Sequence, residues 1–177
     1  MLIMIEIDSK KISEQDQDIL LHQVWESSID EGTSFDQYIY LQLMNFHLIE
    51  TLIETTNFQI IFEICGMRLS NYQYVFHAFL DRLADIYAGV NQSKNFEITM
   101  IGQGFELFFQ VFDQRDTLLI KAYDFSGKDR GYEIITKSEF KKVINQIKNQ
   151  YSQMINEYFD ERFHFYNSSF NLYQFQV

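Results

Sequence analysis

Between Phe96 and Ile135 four short runs of apolar alternation follow one another with little between them, and this constrains the fold more than anything else in the chain. The runs are Phe96–Ile101, Phe105–Phe112, Thr117–Tyr123 and Tyr132–Ile135. A period of two marks a strand with one face in the core. Their joints, Gly102-Gln103-Gly104, Asp113–Asp116 and Ser126–Gly131, are polar or glycine-containing and of hairpin length. A parallel crossover needs a dozen or more residues. The four strands are therefore predicted to form an antiparallel meander.

Two further strand signals, Leu2–Ile7 and Phe58–Ile64, precede the meander, and Tyr173, Phe175 and Val177 alternate at the C-terminus as a candidate edge strand. Helix starts are marked by a hydroxyl followed three residues later by an acid or amide, the reciprocal capping box. Ser34-Phe35-Asp36-Gln37, Ser70-Asn71-Tyr72-Gln73 and Thr136-Lys137-Ser138-Glu139 fit, and Ser13-Glu14-Gln15-Asp16 is a looser version. The last helix, near Ser138, has the clearest stripe: Phe140, Val143, Ile144, Ile147, Tyr151, Met154, Ile155 and Tyr158. The helix after Asn71 aligns Tyr72, Val75, Phe76, Phe79, Leu80, Leu83 and Ile86, and Gly89 is expected to end it. The helix after Ser34 is apolar on most sides and so expected to be the most buried. The order β-α-α-β-α-β-β-β-β-α-(β) defines the α+β class: a mainly antiparallel sheet with about four helices packed on it.

Length and composition agree with this. A chain of 177 residues is one domain's worth, with no composition shift to divide it, so residues 1–177 are read as a single domain. Its 46% hydrophobic content, with 18 Phe and 11 Tyr, supplies a core. Proline is absent, where average usage predicts roughly nine, which excludes proline-rich linkers and recognition segments. Cys65 is the only cysteine, so an internal disulfide and a cysteine zinc cluster are excluded, and a reducing compartment is expected. Met1–Asp8 is apolar but lacks a basic flank and runs into acids, so it reads as a strand rather than a signal peptide. Tyr38–Ile53, interrupted by Gln42, Asn45, His47 and Glu50, is too polar and short to span a bilayer. A cytoplasmic location follows as the expectation.

Charge is distributed unevenly. Twelve of the 25 acids lie in Met1–Cys65 against two bases, Lys10 and Lys11, a balance of −10; thirteen acids and twelve bases share the remainder. A one-sided field points to a surface that meets something basic. Glu14, Asp18, His22 and Glu26 follow at i, i+4 on the first helix, with Asp16, Asp30, Glu31 and Asp36 around its start and end. None of these acids has a lysine or arginine four residues away within the helix, although like charges at that spacing cost about 0.2–0.5 kcal/mol per pair. These residues are the candidate partner-binding surface, and Glu50 and Glu54 extend it. The competing reading is an ordinary solvated face.

Other constellations carry less chemistry. His47, Glu50 and Glu54 share a helical ridge, but carboxylate metal sites draw ligands from several helices and place Glu before His. No metal and no cofactor is expected, and the ridge reads as solvent-facing. Cys65 closes an apolar run, where a small buried hydrophobe is its common role, and no protease signature pairs it with His77. His22 and His164 have no partner identifiable from sequence. Gly102-Gln103-Gly104 and Ser126-Gly127-Lys128 lack the spacing of phosphate loops and read as turns. Lys137, Lys141, Lys142 and Lys148 cluster on the last helix, too sparsely to attract nucleic acid to a chain of net charge −11. No catalytic residue is assigned.

The stretch Phe105–Phe159, a hairpin followed by a capped amphipathic helix, resembles the C-terminal part of several immunity proteins of bacterial polymorphic toxins, including those of contact-dependent growth inhibition systems. The resemblance implies a compact acidic protein that neutralises a cognate toxin domain, often a nuclease, by direct contact. Such a nuclease needs a basic groove for phosphates, which an acidic partner can obstruct. A type III secretion-type chaperone of an effector is the alternative, and a small enzyme the second. A chaperone would dimerise and expose apolar patches along a sheet or helix edge.

Overall fold

The molecule is described from a computed structural model, over residues 1–7, 11–30, 37–69, 76–102 and 105–163. Its elements run β1 (Leu2–Glu6), α1 (Glu14–Asp30), α2 (Gln37–Thr55), β2 (Gln59–Ile64), β3 (Met67–Leu69), α3 (Phe76–Asp81), α4 (Leu83–Asn91), β4 (Phe96–Gly102), β5 (Phe105–Gln114), β6 (Thr117–Asp124), β7 (Asp129–Thr136) and α5 (Lys137–Tyr158), closed by a 3-10 turn at Glu161–Phe163. The predicted order is present apart from the added β3 and a third helix that is split into α3 and α4, and the class is α+β. The meander forms as expected, in the order β4-β5-β6-β7 with every pair antiparallel. The expected single sheet is two: β1, β2 and the short β3 form a separate antiparallel sheet with β2 in the middle.

Local chemistry explains the helix starts. Thr136 Oγ1 accepts from the Glu139 N–H at 3.1 Å, and the Glu139 carboxylate accepts from the Thr136 N–H at 3.2 Å, so two otherwise orphaned donors at the head of α5 are satisfied. The Thr136 hydroxyl, which donates to the same carboxylate at 2.7 Å, and then the Thr136 N–H hold the Glu139 carboxyl below its ordinary range. All eight residues of the α5 stripe are buried. At α1 only the serine half of the looser box forms, with the Asp16 N–H on Ser13 Oγ at 3.2 Å; the Asp16 carboxylate takes the Ser13 hydroxyl at 2.5 Å. The boxes at Ser34 and Ser70 lie outside the described residues, as does the candidate tail strand.

The third predicted helix is broken in two, at Arg82 between α3 and α4. Gly89 does not stop it. α4 runs on to Asn91, and Phe96 occupies the space beside Gly89, where a Cβ would stand 2.5 Å from the ring. The glycine admits an aromatic.

The core lies where the inner faces of both sheets meet α5. Ile3, Phe62 and Ile64 from one sheet, Ile98, Met100 and Phe109 from the other, and Phe140 and Ile144 from α5 surround one small void there. α2 packs between α1 and α3, as its apolar character predicts. One carboxylate joins the sheets: Glu133 on β7 pairs with the Met1 ammonium and accepts from the Cys65 N–H at 2.9 Å. Cys65 and Gly66, at φ 53° and 74°, form the two-residue turn between β2 and β3, and this turn lies against β7. Gly131 makes room for it, since a Cβ there would stand 2.6 Å from the Cys65 carbonyl oxygen at a φ of 131°.

Candidate partner interface

α1 is fixed along one side. Leu20 and Val24 are fully buried, and Gln17 is buried with both ends of its amide used. Its Nε2 donates to the Ile12 carbonyl at 3.0 Å, and its Oε1 accepts from the Asp160 N–H at 2.9 Å. The Ile12 N–H donates to the Tyr158 carbonyl at 3.2 Å, so the start of α1 is stitched to the end of α5. The opposite side is therefore held outward on a rigid base.

The sequence-predicted acids of α1 and its surroundings, with Glu54 on α2, fare differently. Glu14 and Glu54 are exposed and have no ion-pair partner among the described residues, and Glu26 is exposed with only His22 beside it, at 3.4 Å. Two others are engaged. Asp16 is half-buried in the cap with Ser13, where an acid also complements the helix dipole. Asp18 pairs with Arg162, which in turn binds Asp160 through Nε and Nη2. The expectation that these acids lack cations holds within the helix but not in space, because Arg162 comes from 144 residues away. The two carboxylates around one guanidinium still leave that corner net negative. The Asp30 side chain, Glu31 and Asp36 lie outside what the structure describes.

His47 departs from the expectation of a solvent-facing ridge. It is buried, with its Nε2 3.0 Å from Ser27 Oγ and its Nδ1 3.2 Å from the half-exposed Glu50 carboxylate. Hydroxyl, imidazole and carboxylate in that order have the connectivity of a nucleophile triad. A triad also needs a well-aligned acid; here Ser27 and Glu50 are both partly exposed, and Nδ1 approaches the Glu50 carboxylate without hydrogen-bond alignment. The trio instead ties α2 to α1 and places Glu50 one turn from that contact.

Cys65 is buried, as read from sequence, and its Sγ lies 3.6 Å from the Ile120 carbonyl oxygen. Burial, reinforced by the nearby Glu133 charge, pushes its thiol up to about 11. The thiolate is the reactive form, so this thiol should be inert. Iodoacetamide at pH 8 should leave the folded protein unmodified under conditions that label the urea-unfolded chain completely; equal labelling would show the site to be open.

Gln103 and Gly104 of one candidate loop, and His164, lie outside the described residues. Ser126-Gly127-Lys128 is the β6–β7 turn, organised by Asp124, whose carboxylate accepts from the Ser126 and Lys128 N–H groups at 3.0 Å each. Hydrogen bonding, first from the Ser126 side chain, holds the Asp124 carboxyl down at about 2. Lys137 pairs with Asp113, and Lys141 sits over the Tyr87 ring, so this lysine cluster is partly spent within the fold. Among the described residues no three His, Cys, Asp or Glu side chains converge in a way that could hold a metal ion, and no helix is long and apolar enough to cross a membrane. No protein-family model, curated protein or solved structure matches the chain.

Sequence reasoning missed the apolar residues on the outward side of α1. Trp25, Ile19 and Ile29 are 59%, 49% and 49% exposed, among Asp18, His22 and Glu26. The signal was present: none of the three falls in register with the buried pair Leu20 and Val24.

Proposed function

We propose that this chain is an immunity-type binding protein of the cytoplasm, which neutralises a cognate toxin domain with a basic surface, such as a nuclease, by direct contact and without catalysis. The observation that carries the reading is the outward side of α1, where Glu14 and Glu26 stand on a rigid base with no lysine or arginine partner among the described residues, within a segment of balance −10. Such a field steers a cationic partner and repels nucleic acid and anionic lipid. A secretion-type chaperone is favoured by one different feature: Tyr132 and Ile134 stand 67% and 58% exposed on β7, an edge strand. A chaperone of that kind is expected to dimerise, so a monomer by sedimentation would exclude it.

The test is binding to a cognate toxin domain, whose gene this reading expects immediately upstream of the one for this chain. Glu14→Lys with Glu26→Lys should slow association about tenfold and flatten its dependence on ionic strength, since rim charges act mainly on the association rate. Asp85→Lys with Glu97→Lys, two exposed acids outside the segment, should do much less. Equal behaviour of the two double variants would reduce the acidic side of α1 to a solvated surface.

A further inference from the structure

α1 carries two seams. The inner one, Gln17, Leu20 and Val24, is buried; the outer one, Asp18, His22, Trp25 and Ile29, repeats at spacings of four, three and four and so keeps to one side of the helix. A helix packed on one side needs only one apolar seam. Trp25 and Ile29 are each about half exposed or more, Trp25 carries the His22 ring 6.0 Å away, and Ile19 lies to the flank with a similar exposure. Charged side chains surround these apolar groups: Asp18, held in place by Arg162, and Glu26. An indole within an acidic rim, on a helix held from behind, has the composition of an interface centre rather than of a solvated face.

We infer that the outer seam of α1 is the centre of the partner interface and that its occupant is a basic amphipathic protein surface, presenting arginine against Trp25 and an apolar patch against Ile29. This rests on the binding reading above and adds the partner's chemistry to it. Charge complementarity selects a cationic occupant. The indole selects arginine over lysine, because a guanidinium stacks on an aromatic face and still pairs with an exposed carboxylate such as Glu26. The exposed Ile29 and Ile19 select a partner with apolar surface between its charges, since a purely cationic one would leave them in water.

Trp25 is the only tryptophan, so its emission reports on this surface alone. The probes are a helical peptide with leucine on one face and arginine on the other, and an oligolysine of equal charge, each titrated into the full chain. The leucine–arginine peptide should shift Trp25 emission to the blue, shield it from acrylamide, and bind on the order of 30-fold more tightly than oligolysine, the ratio of one interface hot spot. By calorimetry Trp25→Ala should lose that advantage while keeping the oligolysine affinity, and its circular dichroism should match the parent. If both probes bind alike with Trp25 still open to acrylamide, the apolar anchor is overturned and the acidic surface stands. If neither binds at low salt, the acidic reading of α1 fails as well.

Discussion

Truncating Ile147 to alanine should lower the stability of this protein by about 2–5 kcal/mol, the range for deleting an aliphatic side chain from a core that cannot close over the gap. Ile147 is fully buried near the middle of α5, between Ile144 and Tyr151 on the same stripe. α5 packs on β1, on β7 and on α4, so a cavity there is lined by elements fixed from several directions. Collapse into it is therefore limited, which favours the upper half of the range. Gln146→Ala, one residue away on the exposed side, should change stability by less than about 0.5 kcal/mol. Urea denaturation of the two variants is the measurement. A loss below 1 kcal/mol for Ile147→Ala, or two separate transitions in the parent, would contradict a core shared by both sheets.

The parts of this fold that were legible in sequence are those whose chemistry is local. The α5 cap needs only Thr136 and Glu139, its stripe only the helical period, and the meander only alternation with short joints. What was not legible depends on contacts across the chain. Cys65 reads as the end of an apolar run, yet with Gly66 it forms a turn at positive φ, and the β3 it launches is three residues long. Gly89 reads as a stop and is a packing site for Phe96. The two sheets meet where Glu133 and Gly131 receive the Cys65 turn, a contact that no window of sequence contains.

The candidate site divides in the same way. The acidic ridge of α1 is a matter of i, i+4 spacing and was visible. The partner of Asp18 was not, since Arg162 reaches it only because Gln17 and Ile12 dock the start of α1 on the end of α5. This changes which acids can serve a partner: Glu14 and Glu26 are available outright, whereas a partner must compete with Arg162 for Asp18. His47 was legible as a member of a ridge but not as buried, because the Ser27 hydroxyl that receives it belongs to another helix.

Asp81→Asn should stabilise the protein by about 2–3 kcal/mol at pH 7.5 and change it little at pH 4. Asp81 ends α3 in a largely buried position, where the Asn45 Nδ2 donates to its carboxylate at 2.7 Å and the Tyr151 hydroxyl donates to the other end of the same amide at 3.3 Å. Burial pushes its carboxyl up to about 6 from an ordinary 3.8, against the opposing effects of the Asn45 hydrogen bond and the Arg82 charge. Between those two values the folded protein holds a proton that the unfolded chain has released. Stability from this group is thus complete below about pH 3.8 and is lost as pH rises through about 6. At about 1.4 kcal/mol per unit, the shift corresponds to roughly 3 kcal/mol, and the residue's partial contact with water reduces it slightly. Asparagine retains an oxygen for Asn45 and has no charge to bury, so the variant should escape the loss. Asp113, Asp124 and Glu139 act in the opposite sense, with carboxyls held low by hydrogen bonds, so their contribution disappears in acid in both proteins. The difference between parent and variant therefore isolates Asp81. Urea midpoints from pH 4 to 8 should diverge progressively between about pH 4 and pH 6 and stay apart above that, with Asp81→Asn the more stable; parallel curves would show that the carboxylate is solvated in the folded state and that the Tyr151–Asn45–Asp81 chain is not closed to water.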